Sequence, residues 1–456
     1  MRKLVLTAIA AVLACLSAAA QEVRLTLDDC RGMALQNNSS AIGAALDLKA
    51  AEYQKQEAFT EYFPKVSLMG FGFWAFDPLI EIGIKDVFGN NDFSNNLQNI
   101  VESFGVDPYY TTMNRGYLAG ISVMQPLFAG GRIVNGNRLA GIGVEAARLQ
   151  QTMQTRTTSA EIEGYWWQVV SLQEKQKTLG GFLEFVDTLY RDVSAAYKAG
   201  LVTEDELLQV TLNRNKLRSS EVQLRSGMRL AKMNLLNSIG MEYTVISANA
   251  SEERPHVDAI VLSDEGTLPE SPDRYYVDEE SVAASMEETR LLDLQVEAAA
   301  LQKKIALGEA LPQVAVGATY GYYDFMDKGN FNGLAFATVQ IPISQWGKTA
   351  AQTKRLQTQV DKAAAQRDYL QSQIILGVRQ NWVELTSCWD TYQLSLESEA
   401  AAEASFGRVK RNYEAGRVTL SELLQSQASL MQAADERLEA LNSYRQALQK
   451  WLDLTE

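Results

Sequence analysis

The sequence predicts a mixed α and β fold built twice over, each half holding two short strands and two very long helices. Three observations predict it. The stretch Tyr197-Lys198-Ala199-Gly200-Leu201-Val202-Thr203, leading into Glu206-Leu207-Leu208-Gln209, recurs as Tyr413-Glu414-Ala415-Gly416-Arg417-Val418-Thr419, leading into Glu422-Leu423-Leu424-Gln425. Pairs such as Pro126 and Pro342, Gly131 and Gly347, and Gly200 and Gly416 share one spacing of 216 residues. Between these repeats, period-2 aromatic and glycine stretches alternate with helical runs of about seventy residues, on the order of 100 Å long at 1.5 Å per residue.

The chain opens on Met1-Arg2-Lys3, an apolar run from Leu4 to Leu16 and Ala18-Ala19-Ala20 before Gln21, which is the pattern of a signal peptide over residues 1–20. Val12-Leu13-Ala14-Cys15 offers a competing lipidation site, but Leu13 fits it poorly. The formal charge of −14 becomes −16 once Arg2 and Lys3 are removed, which disfavours nucleic acid as a partner. Cys30 and Cys388 are the remaining cysteines and His256 is the single histidine. That composition supports no disulfide framework, makes a Ser-His triad improbable and excludes most zinc sites, so neither a metal nor a cofactor is expected.

Residues 21–240 form the first repeat. Thr26-Leu27-Asp28-Asp29 caps a helix that Asn37-Asn38-Ser39-Ser40 breaks or bends and Pro64 stops. Residues 65–75 alternate Met69, Phe71 and Phe73 with Gly70 and Gly72, as a strand does, and residues 116–126 alternate again up to Pro126. Residues 75–115 between them read as a long loop with a short helix at 95–104. A helical hairpin over 131–239 follows, with its reversal at 197–203 and a candidate bend at Gly180-Gly181. Residues 241–275 lose all periodicity and read as an irregular connector. Residues 276–456 repeat the plan: a helix to Ala310, strands at about 313–323 and 334–342, and a hairpin over 346–454 with its reversal at 413–419. The excursion between the strands is 32 residues longer in the first half, since Pro64 to Pro126 is 62 and Pro312 to Pro342 is 30.

At each reversal Gly200 or Gly416 stands where a helix C-terminus favours a left-handed residue. Thr203 or Thr419 takes the next N-cap, with Glu206 or Glu422 three residues on at capping-box spacing. On the second hairpin Leu370, Ile374, Val378, Trp382, Leu385, Trp389, Tyr392 and Leu396 recur at steps of four and three, a coiled-coil seam.

Strands of about nine residues approach the length that crosses an outer membrane. Trp74, Tyr109, Tyr110, Tyr117, Tyr322, Tyr323, Phe325 and Phe331 gather at their ends, as interfacial girdles do. Aromatics suit a soluble strand pair equally well. The signal peptide and the alternation of large with small residues favour the membrane. Four strands cannot close a barrel, and open edges are not tolerated in lipid, so several chains must share one.

The order of elements, the duplication, the opening Leu-Thr-Leu-Asp-Asp, the Gln-Pro-Leu-Phe-x-Gly-Gly-Arg run at 125–132 and the paired Tyr-x-x-Gly reversals resemble the TolC family of outer-membrane efflux proteins over essentially the whole mature chain. The resemblance implies a homotrimer, with four strands per chain making a 12-stranded β-barrel continued by a long periplasmic α-helical barrel. It implies a non-catalytic exit duct for drugs, toxic compounds or other small solutes, located in the cell outer membrane of a Gram-negative bacterium and extending into the periplasm. Its partners would be a periplasmic adaptor protein, an inner-membrane transporter of RND, ABC or MFS type, and outer-membrane lipid. A type I protein secretion duct is the alternative, and a soluble periplasmic coiled-coil adaptor a more distant one. By this match Tyr197, Gly200, Leu201, Val202 and Thr203 form one adaptor-contact tip, and Tyr413, Gly416, Val418, Thr419 and Leu420 the other. Glu422 occupies the first acidic gate position of the family, Gln425 stands where better-known members carry a second acid, and Glu206 holds the equivalent place in the first tip. Plain N-capping accounts equally well for both glutamates.

Overall fold

The computed structural model describes residues 23–77, 79–112, 115–246, 251, 254–262, 269–324, 329–344 and 347–455. The expected signal peptide, Cys15 and Phe325 lie outside them. The chain divides into two compact units. One takes the chain up to Lys49 together with 146–293 and 366–456, and the other takes 50–145 and 294–365.

The second unit carries the sheet. Its strands are β2 (Lys65–Trp74), β5 (Arg115–Ala129), β7 (Gln313–Asp324) and β8 (Asn330–Gln340), in the order β2-β5-β7-β8 and antiparallel throughout. Paired residues share a face, so the register sorts the side chains. One face carries Val66, Leu68, Ile121, Val123, Val316, Tyr320, Tyr322, Phe331 and Val339, apolar on every strand. The other mixes Ser67, Ser122, Thr319 and Asn332 with Met69, Leu118 and Leu334. Gly120 and Gly321 pair across β5 and β7, so close that a Cβ on Gly321 would lie 2.5 Å from the Ala119 carbonyl oxygen. Only glycine tolerates that approach.

Two expectations about this sheet change. Pro126 does not end its strand: β5 runs on to Ala129 through a register shift between Pro126 and Phe128. Pairing with β2 has already stopped at Met124, so a residue without an N–H forfeits no bond on that side. β8 starts at Asn330, four residues before the expected boundary, because Asn330 and Phe331 pair with Tyr323 and Tyr322.

The described part of residues 75–115 holds the short helix expected at 95–104 and more structure besides. It has β3 (Ile80–Gly83) paired antiparallel with β4 (Tyr109–Thr112), and two helices, α3 (Ile84–Phe88) and α4 (Asp92–Ser103). The caps are unobtrusive in the sequence. The Gly83 N–H donates to the Asp86 carboxylate at 2.7 Å, and Asn91 and Ser94 cap each other reciprocally at 2.9 and 3.1 Å.

Preceding the sheet are β1 (Val23–Leu25), α1 (Leu27–Asn37) and α2 (Ser39–Thr60), the helices parting at Asn38. Their counterparts are α7 (Glu279–Ser285) and α8 (Glu287–Gly308), which part at Met286. Asn38 and Met286 are 248 residues apart, the spacing of Pro64 and Pro312, and both have extended backbone. A continuous helix to Ala310 was expected, and a methionine gives no signal for such a break.

The long helices are α5 (Arg132–Lys198), α6 (Glu204–Ser238), α9 (Lys348–Glu414) and α10 (Leu420–Thr455). α5 is uninterrupted through Gly180-Gly181, so no helix break marks those residues. In the helical unit one core gathers Cys30, Ile162, Trp166, Leu235, Leu236 and Ile260. Burial pushes the Cys30 thiol up to about 12, so it packs as an inert apolar group. Another core gathers Val378 and Leu385, both on the predicted seam, with Tyr444 and Trp451.

The described residues of the connector 241–275 include segments pinned to the helices and to β1. β6 (Ile260–Leu262) pairs in parallel with β1, the buried Lys232 Nζ donates to the Ile260 carbonyl at 2.5 Å, and the Trp451 indole donates to the Tyr275 carbonyl at 2.7 Å. Three-residue strands 237 positions apart show no periodicity, which is why the sequence hides them. No described helix is long and apolar enough to cross a membrane.

Candidate gate and docking surface at the helix reversals

Both reversals are closed by the same backbone motif. At the end of α5 the Gly200 N–H donates to the Tyr197 carbonyl and the Leu201 N–H to the Ala196 carbonyl, each at 2.9 Å. At the end of α9 the Gly416 N–H donates to Tyr413 at 2.9 Å and the Arg417 N–H to Asn412 at 2.8 Å. This pair of bonds satisfies the last helical carbonyls and requires positive φ at the glycine, which is 73° at Gly200 and 69° at Gly416.

The N-caps differ. Thr419 and Glu422 make a complete box: the Thr419 N–H donates to the Glu422 carboxylate at 2.8 Å and the Glu422 N–H to Thr419 Oγ1 at 3.3 Å. At the other tip the Glu206 N–H donates to Thr203 Oγ1 at 3.4 Å, with no return bond from its carboxylate to the Thr203 N–H. Glu206 is half-buried and faces Tyr413, whose phenol is pushed up first by burial and then by the charges of Glu206 and Asp192. Glu422 and Gln425 are both exposed.

The tips share one apolar core. Val193, Val210, Leu420 and Leu423 are buried in it, with Val202, Leu207 and Tyr413 packed against them. Leu420 therefore does not belong to a contact surface. It is 3% exposed and supports its tip from inside, as the first residue of α10 packed into that core. The large side chains exposed at the tips include Tyr197, Leu201 and Arg417, with Leu201 at 78%. Val202 and Val418 are half-buried, and Gly200, Thr203, Gly416 and Thr419 are exposed.

The structure adds polar residues that were not singled out in the sequence. Gln427 is 1% exposed and accepts from Asn213 Nδ2 at 3.1 Å, tying α10 to α6. A cavity of about 430 Å3 opens beside them, lined also by Lys216, Met431 and Asp435. Arg214 holds Asp187 at 2.5 Å, which keeps that carboxyl below its usual range. Lys175 pairs with Glu439 at 2.7 Å. Gln427 had a signal: Leu423 and Leu430 are seven residues apart, a heptad spacing, and Gln427 fills the position four along between them. A polar residue on an apolar seam sets register.

A model of the outer membrane efflux protein family matches residues 31–241 and then 288–453, one match to each half. The chain belongs to that family. It is 22% identical over 321 residues to the outer membrane efflux protein BepC of Brucella suis, a match covering 68% of this chain and 66% of that protein. The chain thus spans just under two thirds of the curated relative's length. Its fold is similar to a membrane protein from Pseudomonas aeruginosa, with TM-score 0.73, 14% identity and 94% and 93% of the two chains covered. It is similar also to the CmeC outer membrane channel of Campylobacter jejuni, with TM-score 0.72, 14% identity and 94% and 85% covered. At such identities the likeness is one of fold. Membership of the efflux family places the chain in the outer membrane, with the four strands as its membrane element and the long helices as its periplasmic one.

Proposed function

We infer that this efflux family member is the passive outer-membrane duct of a tripartite efflux system, working as a homotrimer. One observation carries the reading. The chain makes a four-stranded antiparallel sheet whose edges, β2 and β8, have no further strand beside them among the described residues, and one face is apolar along its middle on every strand. Leu68, Tyr320 and Phe331 on that face are 83, 64 and 63% exposed. Such a sheet is stable in lipid only when its edges are closed by copies of itself. The mixed polar face then lines a conduit.

In this reading the helix reversals meet a periplasmic adaptor, and an inner-membrane transporter of RND, ABC or MFS type supplies the energy. The cargo class is drugs, toxic compounds or other small solutes. Tyr197, Leu201 and Arg417 form the docking surface. Glu206 and Glu422 place carboxylates near the constriction, and Gln425 lowers its charge. Fractionation followed by gel electrophoresis with and without heating tests the assembly: a heat-labile trimer in the outer membrane is expected, and a soluble periplasmic monomer would overturn it. Drug accumulation in a deletion strain tests the cargo.

A further inference from the structure

The insertion between β2 and β5 is absent from the second half, where four residues outside the described set and Gly329 connect Asp324 to Asn330. It is folded: β3 and β4 pair over four residues, and the Ser94 hydroxyl, fully buried, donates to the Gly89 carbonyl at 2.6 Å. α3 meets α4 where the Phe88 and Phe93 rings stand edge to face at 5.9 Å. Yet the apolar stripe of α4 is left open. Phe93 is 63% exposed, Ile100 53% and Phe104, just past the helix, 80%, with Leu97 between them at helical spacing. An apolar ridge of this kind in water marks an interface.

We propose that three copies of this insertion bury their α4 ridges on one another and form a cap over the outer mouth of the shared barrel. The proposal rests on the trimeric reading above. Connectivity locates the insertion: it leaves from Trp74 at one end of β2 and returns at Arg115, the end of β5 paired with it, so it stands at one rim of the sheet. β2 is also an edge strand, so the insertion hangs from the strand that a neighbouring copy must join.

Size agrees. Twelve strands 4.8 Å apart and tilted about 40° enclose a backbone ring roughly 24 Å across, or about 450 Å2 of opening. A twelve-residue helix is about 18 Å long and 10 Å wide, covering about 180 Å2, so three span the opening. Tethering at one rim holds the three at an effective concentration on the order of millimolar, at which a small apolar contact suffices.

Charge argues against lipid as the occupant. Residues 75–114 carry six acids and one lysine, and the polar side of α4 is Asp92, Asn95, Asn96, Asn99 and Glu102 with no Lys or Arg. A helix that lies on an anionic leaflet presents cations there. Amide-rich flanks are compatible with a symmetric contact between copies, with the few acids left at its solvated margin.

The test uses the full chain in cells, with Cys388→Ser to leave only the buried Cys30. Phe104→Cys is oxidised with copper phenanthroline and run on a non-reducing gel, beside Glu102→Cys on the polar side. The expected result is a covalent dimer for Phe104→Cys, since three thiols around a threefold axis pair two at a time, and none for Glu102→Cys. A heat-labile trimer whose Phe104→Cys thiols stay unlinked overturns the cap, whether they react with a water-soluble maleimide or only with a lipid-phase label. Absence of the trimer itself overturns the shared barrel and the cap together. Replacing residues 76–113 by the short connection of the second half should raise uptake of a bulky glycopeptide antibiotic several-fold. Unchanged uptake in a trimer of normal abundance overturns the seal.

Discussion

Glu422 can serve as a cap, as a charge in the conduit, or as both, and the geometry allows these to be separated. Its carboxylate accepts from the Thr419 N–H at 2.8 Å while its own N–H donates to Thr419 Oγ1 at 3.3 Å. Glu422→Gln keeps an oxygen for the first bond and leaves the second untouched. It removes only the favourable placement of a negative charge at a helix N-terminus, about 0.3–1 kcal/mol and at the low end for an exposed group. Thr419→Ala removes the cap itself, about 1 kcal/mol per chain, and leaves the charge in place. The two variants therefore part along different axes. In planar bilayers Glu422→Gln should lower cation selectivity and weaken block by divalent cations, most clearly below 0.1 M salt, where the Debye length exceeds about 10 Å. Its helix stability should be close to wild type. Thr419→Ala should keep the block and lose stability. A Glu422→Gln channel with unchanged conductance and unchanged divalent block at every salt concentration would leave capping as the residue's whole role.

Three further outcomes follow from the geometry. Gly321→Ala should abolish the heat-labile trimer, because the added methyl would meet the Ala119 carbonyl oxygen at 2.5 Å and the Gly120 Cα at 2.6 Å; a normal gel shift would show that the strands can part there. Leu423→Ala, at a site 1% exposed in the tip core, should cost about 2–5 kcal/mol and expose the reversals to limited proteolysis, and unchanged cleavage would contradict the shared core. Burial raises the Asp435 pKa, with Lys175 opposing and Glu439 adding to the shift. An acid with a raised folded pKa penalises the fold above that pKa, and the penalty fades as pH falls through it. Asp435→Asn should accordingly stabilise the protein at neutral pH by an amount that shrinks on acidification, read as melting temperature against pH.

The parts legible in the sequence are those in which one residue carries a local rule. Gly200 and Gly416 are needed wherever a helix ends left-handed, and both do so. Val314 to Tyr322 alternates large with small because one side of β7 is apolar, and the alternation survives in the register. The parts that stayed hidden depend on partners distant in sequence or on inconspicuous caps. The β1–β6 pair has three residues a side, too few for a period. The short helix expected at 95–104 is α4, but its start at Asp92 is hidden because its caps, Asn91 and Ser94, lie inside a run of asparagines that resembles a loop. Leu420 looks like part of a tip because it adjoins Thr419, but adjacency along a helix says nothing about which side faces the core; the seam does.

The two internal spacings locate where the halves diverge. Elements before the sheet repeat at 248 residues, as Asn38 and Met286 do, and elements after it at 216, as Gly200 and Gly416 do. The difference of 32 is the excess of the first excursion over the second, so the length change is confined to the outer end of the strands. The duplication therefore conserved the lengths on which a shared barrel and matched hairpins depend. What it left free to differ are surfaces. At the inner end Leu201 stands opposite Arg417 in the repeat, exposed in both cases, and one N-cap glutamate is tied back while the other is turned toward Tyr413. A trimer of such chains presents six reversals of two kinds, so a partner that docks on all six must read a leucine at one kind and an arginine at the other. Exchanging the pair, Leu201→Arg with Arg417→Leu, keeps composition and net charge while moving the arginine to the other hairpin. Drug resistance should fall in that double variant although the trimer forms normally, and full resistance would show that the partner does not distinguish the two tips.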